Sequence, residues 1–164
     1  MTVIRIREIS GSLDGSSAVV SFDHGEEYSI TVKDPFSEAD EQQLEWYFEE
    51  HLRFPFTRKV QAKAAADSII NYGETLFKQV FADPEAYVAY KQRLEAGLNT
   101  LQIEIAGSPQ FHALHWEALK DPQLPQPLAL QATMVRQNLK PQIVNATIRS
   151  SPTINLLLLS LIHI

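Results

Sequence analysis

His112, His115 and Glu117 lie within six consecutive residues. Imidazoles with a carboxylate can ligate zinc or move protons near neutral pH. A zinc site needs three or four convergent ligands, however, and no H-E-x-x-H pattern occurs in the chain. The same residues flank Leu114, Trp116 and Leu119, an apolar set whose burial in a tight turn accounts for the pattern without a metal. Glu117 then has a structural use, accepting backbone hydrogen bonds inside that turn. The expectation is a packed turn, with no metal and no cofactor.

Nucleophilic chemistry is restricted more sharply. The chain contains no cysteine, which excludes a thiolate nucleophile, a disulfide and a thiolate metal site within these residues. None of its serines lies in G-x-S-x-G, and neither G-x-x-x-x-G-K-[ST] nor G-x-G-x-x-G is present. The acids of residues 37–50 read as the solvated face of a capped helix rather than a cation site. Phe54, Phe56, Phe77 and Phe81 read as core, since few basic residues interleave with them to make a nucleic-acid platform. A net charge of -6 and a pI near 5.3 give no electrostatic reason to expect nucleic acid or an anionic membrane. Neither is expected as a partner.

The elements that must position the turn follow from periodicity and punctuation. Residues 2–32 hold three alternating or apolar runs, around Val3 to Ile6, Ala18 to Phe22 and Tyr28 to Val32, separated by glycine-containing turns. An antiparallel three-stranded meander is the expected topology. Ser37 caps a helix through residue 50, with Glu38, Asp40 and Glu41 in its positive first turn and Leu44, Tyr47 and Phe48 as its apolar stripe. Phe54-Pro55-Phe56 breaks the chain. Thr57 starts an alanine-rich helix carrying Val60, Ala64, Ile69 and Ile70, which the pattern ends or bends at Gly73 before Leu76, Phe77, Val80 and Phe81 continue the spacing. Asp83-Pro84 opens a last helix, with Tyr87, Tyr90 and Leu94, that Gly97 closes. No self-similar unit of about 34 residues is present, which rules out tetratricopeptide repeats.

After Gly97 the pattern changes. Leu101, Ile103 and Ile105 alternate with polar residues as in a half-buried strand. Ser108-Pro109 is a helix-start signal, because serine caps free amides and proline loses nothing at the first helical position. A proline-rich loop over residues 122–127 precedes a second strand expected over 128–136, and the apolar run 153–158 fits a strand covered on both faces. The last six residues, LSLIHI, are one reading frame of the transposon adapter CTGTCTCTTATACACATC, so they read as an adapter-derived tail, the alternative being a genuine long buried strand. The apolar run at the carboxyl end is too short for a membrane helix, which needs about 20 residues. The amino terminus lacks a signal-peptide pattern, so a cytoplasmic location is expected.

From residue 98 to 158 the ordered set resembles the front part of a CHAT domain, the caspase-like domain often found with tetratricopeptide repeats in bacterial proteins. Leu114, Trp116, Glu117 and Leu119 match its L-x-W/F-E-x-L motif. The resemblance implies the first strands of a caspase-like sheet over 98–158; with the strand-meander and helical module read over 1–97 and the tail at 159–164, the expected fold is α/β in three parts. The resemblance also implies cysteine endopeptidase activity for the complete protein, with protein partners or a peptide substrate. The family's catalytic histidine and cysteine follow its third and fourth core strands. No residue here inherits either role, so the chain alone is expected to be inactive, and a non-catalytic signalling or scaffold module is the competing reading.

Overall fold

The structure, a computed structural model, describes residues 2–12, 15–23 and 25–139. Its order is β1 (Thr2–Ser12), β2 (Gly15–Phe22), β3 (Glu27–Val32), α1 (Glu38–Trp46), α2 (Lys59–Val80), α3 (Pro84–Leu94), β4 (Leu101–Gly107), α4 (Pro109–Ala113) and β5 (Thr133–Asn138). The strands form one mixed sheet in the order β3-β2-β1-β4-β5. The first three make the expected antiparallel meander, while β1, β4 and β5 run parallel. This is an α/β fold. The expected boundary near residue 98 falls between α3 and β4, yet the sheet is continuous across it, with Thr2 opposite Leu101 and Ile6 opposite Ile105.

Strand alternation divides the sheet into two unlike faces. Ile4, Ile6, Val20, Phe22, Ile30, Val32, Leu101, Ile103 and Ile105 all point to one face and are buried there against Tyr72, Leu76, Phe77 and Val80 of α2 and Ala86 and Tyr90 of α3. The opposite face is polar. Arg5 grips Glu104 through Nε at 2.8 Å and Nη2 at 2.7 Å, and Arg7 reaches Glu27 at 3.0 Å.

The helix starts follow the capping chemistry. Ser37 caps α1 in a reciprocal box with Asp40, which holds the Asp40 carboxyl below the usual range through the Ser37 hydroxyl and amide. Asp83 accepts the amides of Glu85 and Ala86 ahead of α3.

Several expectations are corrected. The first helix is α-helical only to Trp46 and ends in a π-type turn over Tyr47–His51; none of its residues is buried, and Phe48 faces solvent. The second helix begins at Lys59 behind a left-handed Arg58, and its buried stripe is Ala62, Ala65, Tyr72, Leu76, Phe77 and Val80, leaving Val60 and Ile70 exposed. Phe54 and Phe56 are not core residues: they sit in the exposed connection between the two helices, beyond the reach of the sheet. The strand expected over 128–136 starts only at Thr133. Leu128–Leu130 is a 3₁₀ turn, since the Leu128 amide donates to the Leu119 carbonyl and turns the chain after Pro127. The apolar run 153–158 and the tail at 159–164 lie outside the described residues. Among the described residues, no helix is long and apolar enough to cross a membrane.

Gly73 neither ends nor bends α2, which runs through it to Val80. It lies where α2 meets the segment after Trp116, and a Cβ built there would fall inside the carbonyl group of Ala118. The Gly73 carbonyl in turn accepts the Lys120 amide at 3.1 Å. Glycine is required here by close approach, not by conformation. In an exposed helix interior, Gly→Ala stabilises by about 1 kcal/mol. Gly73→Ala should instead destabilise by about 1 to 3 kcal/mol, as overpacking does; urea unfolding monitored by tryptophan fluorescence gives the sign directly.

Candidate functional site

The residues with chemical potential converge on the turn between β4 and β5, and the sheet builds that turn. β4 delivers the chain to Gly107, Ser108 accepts the Phe111 amide at 3.3 Å, and Pro109 occupies the first turn of the short α4. The Trp116 indole is fully buried, donates to the Phe111 carbonyl at 2.7 Å and packs on the Phe111 ring at 4.9 Å between centroids. Leu119 and Leu128 are equally buried, and Leu114 nearly so. The packed turn around Leu114, Trp116 and Leu119 is present.

Four elements pin it. From β1, Glu8 accepts the Ser108 amide at 2.6 Å and the Ser16 hydroxyl at 2.8 Å. It can reach them because a register shift between Glu8 and Ser10 re-aims the end of β1. From α2, the Tyr72 hydroxyl accepts the His115 amide at 3.0 Å, and Glu74 receives Lys120 at 2.7 Å. From α1, Glu41 binds the His115 Nε2 at 2.9 Å. From β5, the Arg136 guanidinium holds Glu117 through Nε at 3.1 Å and Nη2 at 2.6 Å, and also donates to the carbonyls of His112 and Leu114.

The two histidines therefore diverge. His112 Nε2 meets the Gln137 carbonyl at 3.0 Å, whereas His115 points to Glu41. Among the described residues, no three histidine or acid side chains are grouped to hold a metal ion. The carboxylate of Glu117 is held mainly by a side chain, Arg136, with the expected backbone bond coming from its own amide. Burial pushes its pKa up, but the Arg136 hydrogen bonds and charge outweigh this and keep it below the usual range.

Beyond the turn, Asp121 is fully buried and accepts from Tyr90 at 3.2 Å, Lys91 at 3.3 Å and the Gln123 amide at 2.9 Å. Burial first, then the Asp121 charge, pushes the Tyr90 phenol well above its ordinary value. A groove of about 520 Å³ opens beside the carboxyl end of β1, lined by Glu8, Ser10, Ser12, Ser16, Ser108 and Gln110. Its Ser16 hydroxyl donates to Glu8, a carboxylate that also accepts the Ser108 amide and lies near His112, so this pair serves to pin the turn.

Sequence reasoning found the turn but missed Glu8, Tyr72, Gly73 and Arg136 as its anchors. Only Arg136 left a trace, as a charge on the face of β5 that aligns with Ile105. The arrangement defines an α/β domain whose turn is a structural clasp. No family model, curated protein sequence or solved structure matches the chain significantly.

Glu8 is buried, which raises its pKa, but the Ser108 amide and hydroxyl, the Ser16 hydroxyl and the His112 charge together lower it below its ordinary 4.5. A depressed folded-state pKa contributes stability that is complete above the unfolded value and is lost as pH falls through the folded one. Glu8→Gln should cost about 1 to 3 kcal/mol at pH 7 and should flatten the loss of stability below pH 4.5. Urea midpoints across pH 3 to 7 check both effects; parallel curves for the two proteins would count against this role. Trp116→Ala, which empties the centre of the clasp, should cost about 3 to 5 kcal/mol by the same measurement.

Proposed function

We propose that the chain is the front part of a CHAT-domain protein, whose complete form is a caspase-like cysteine peptidase working in the cytoplasm on protein or peptide substrates. Residues 98–139 would act in it as a buttress, holding one side of the sheet that presents the catalytic dyad. The observation that carries this reading is the clasp: a strand, a capped turn bearing Leu114, Trp116, Glu117 and Leu119, and a second strand parallel to the first form one pinned unit. A peptidase of this class needs a thiolate activated by histidine and amides that stabilise the oxyanion. The chain has no cysteine, so its part is to support that chemistry.

A second reading, a non-catalytic signalling or scaffold module, draws on the polar groups of the turn. Glu8, Glu117, His115 and Arg136 are all engaged in structural bonds, which suits a domain whose surfaces bind rather than react.

The complete open reading frame separates the two. A histidine-glycine segment after one later strand and a cysteine after the next are expected, with peptide cleavage by the complete protein that Cys→Ala abolishes. Absence of that pair, or cleavage that survives loss of the cysteine, would replace the peptidase reading with the scaffold one.

A further inference from the structure

We propose that the groove at the carboxyl end of β1 binds an extended peptide segment of another protein, which pairs as an added strand with residues 9–12. β1 leads to β2 on one side of the sheet, while its neighbour β4 leads through α4 to β5 on the other. Open α/β sheets bind ligands where the chain departs in opposite directions from the carboxyl ends of adjacent strands. The groove of about 520 Å³ lies at that point. Pairing of β1 with β4 stops at Arg7 opposite Ala106, whereas pairing with β2 runs on to Ser12 opposite Gly15. Residues 9–12 therefore line the groove with, among the described residues, no strand beside them on that side. In an antiparallel pair, alternate amides and carbonyls face away from the partner strand, so this edge offers donors and acceptors to whatever lies in the groove.

The chemistry of the edge selects a peptide. Residues 9–12 read Ile-Ser-Gly-Ser and are all exposed, with none of the charged side chains or prolines that guard an open edge. Gly11 leaves room for a second backbone to approach. The neighbouring Glu8 is buried with both carboxylate oxygens engaged, one by the Ser16 hydroxyl and the other by the Ser108 amide, so it makes no demand for a cation. Among the described residues, no lysine or arginine lines the groove, and nothing there matches a phosphorylated ligand. In strand addition, main-chain pairing gives the affinity and side-chain fit gives the preference. The side-chain contact on offer is aliphatic: Ile9 is 54% exposed and Leu139, which also lines the groove, 44%. An edge of four residues spans about 13 Å. The partner is thus an uncharged segment of similar length with a branched aliphatic side chain at its middle. This inference stands apart from the peptidase reading, because no step of it needs a reacting group.

Titrating the blocked peptide acetyl-Ser-Thr-Ile-Thr-Ser-amide, up to about 1 mM, into the isotopically labelled 164-residue chain tests this by NMR. Amide shifts should move at residues 9–12, Ser108 and Gln110, and hydrogen exchange along the edge should slow. Of two peptide analogues N-methylated at alternate amides, one should lose about 10-fold or more in affinity and the other should keep it, because only one set of amides faces β1. Ile9→Lys puts an edge-guarding charge on a residue outside the core. It should weaken binding about 10-fold or more with an unchanged circular dichroism spectrum. No shifts, two analogues that behave alike, or undiminished binding to Ile9→Lys would overturn the proposal. So would cross-strand NOEs to residues 9–12 from residues after Leu139 in the free chain, which assign the edge to this chain itself. Shifts of the same amides with protein concentration alone would overturn it in favour of a second copy.

Discussion

Parallel pairing of β1 with β4 joins segments 99 residues apart, from Thr2 opposite Leu101 to Arg7 opposite Ala106. Among the described residues, β1 is the strand that joins β2 and β3 of the meander on one side to the β4-β5 pair on the other. Its inner residues, Ile4 and Ile6, are almost wholly buried, so the apolar faces of both halves become one core only when this pairing forms. Closing so long a loop costs entropy that non-local contacts must offset. The contacts that do so are the burial of Tyr72, Leu76, Phe77 and Tyr90 across the shared face and the Arg5 grip on Glu104 behind it.

The clasp depends on the same pairing. Glu8 is at the end of β1 and Ser108 just past the end of β4, and their hydrogen bond exists because the two strands lie side by side in parallel. Once Ser108 is held, α4 starts where its cap dictates, Phe111 sits under the indole, and Trp116 closes the space between β4 and α2. The absence of a side chain at Gly73 lets Ala118 come into contact with the helix. Arg136 then ties the far strand back to Glu117. A buried carboxylate, a side-chain-free helix position and a guanidinium thus convert a short loop into a rigid corner, which is why Trp116 and Glu117 are better understood as support than as reacting groups.

The polarity of the surface is uneven in a way that net charge conceals. The back of the sheet is laced with paired charges, while the α1-α2 connection carries exposed charges of both signs around exposed phenylalanines, none of them in an ion pair among the described residues. A single value of -6 describes neither.

Much of the architecture was legible because its causes are local. Glycine-containing turns and period-two alternation dictate the meander, Ser37, Asp83 and Ser108 cap helices where serine and aspartate can reach free amides, and the lack of cysteine decides what chemistry is impossible whatever the fold. The turn around Trp116 was legible for the same reason, its apolar spacing being that of a corner with one inside. What the tertiary structure alone decided are matters of approach between distant segments. It turned Gly73 from a helix stop into a contact point, made Phe54 and Phe56 surface rather than core, delayed β5 to Thr133, and gave Glu117 an arginine partner from another strand. Local sequence encodes how a segment can curve and which side of it is apolar. Which neighbour arrives at that side, and how closely, is set by the packing of the whole chain.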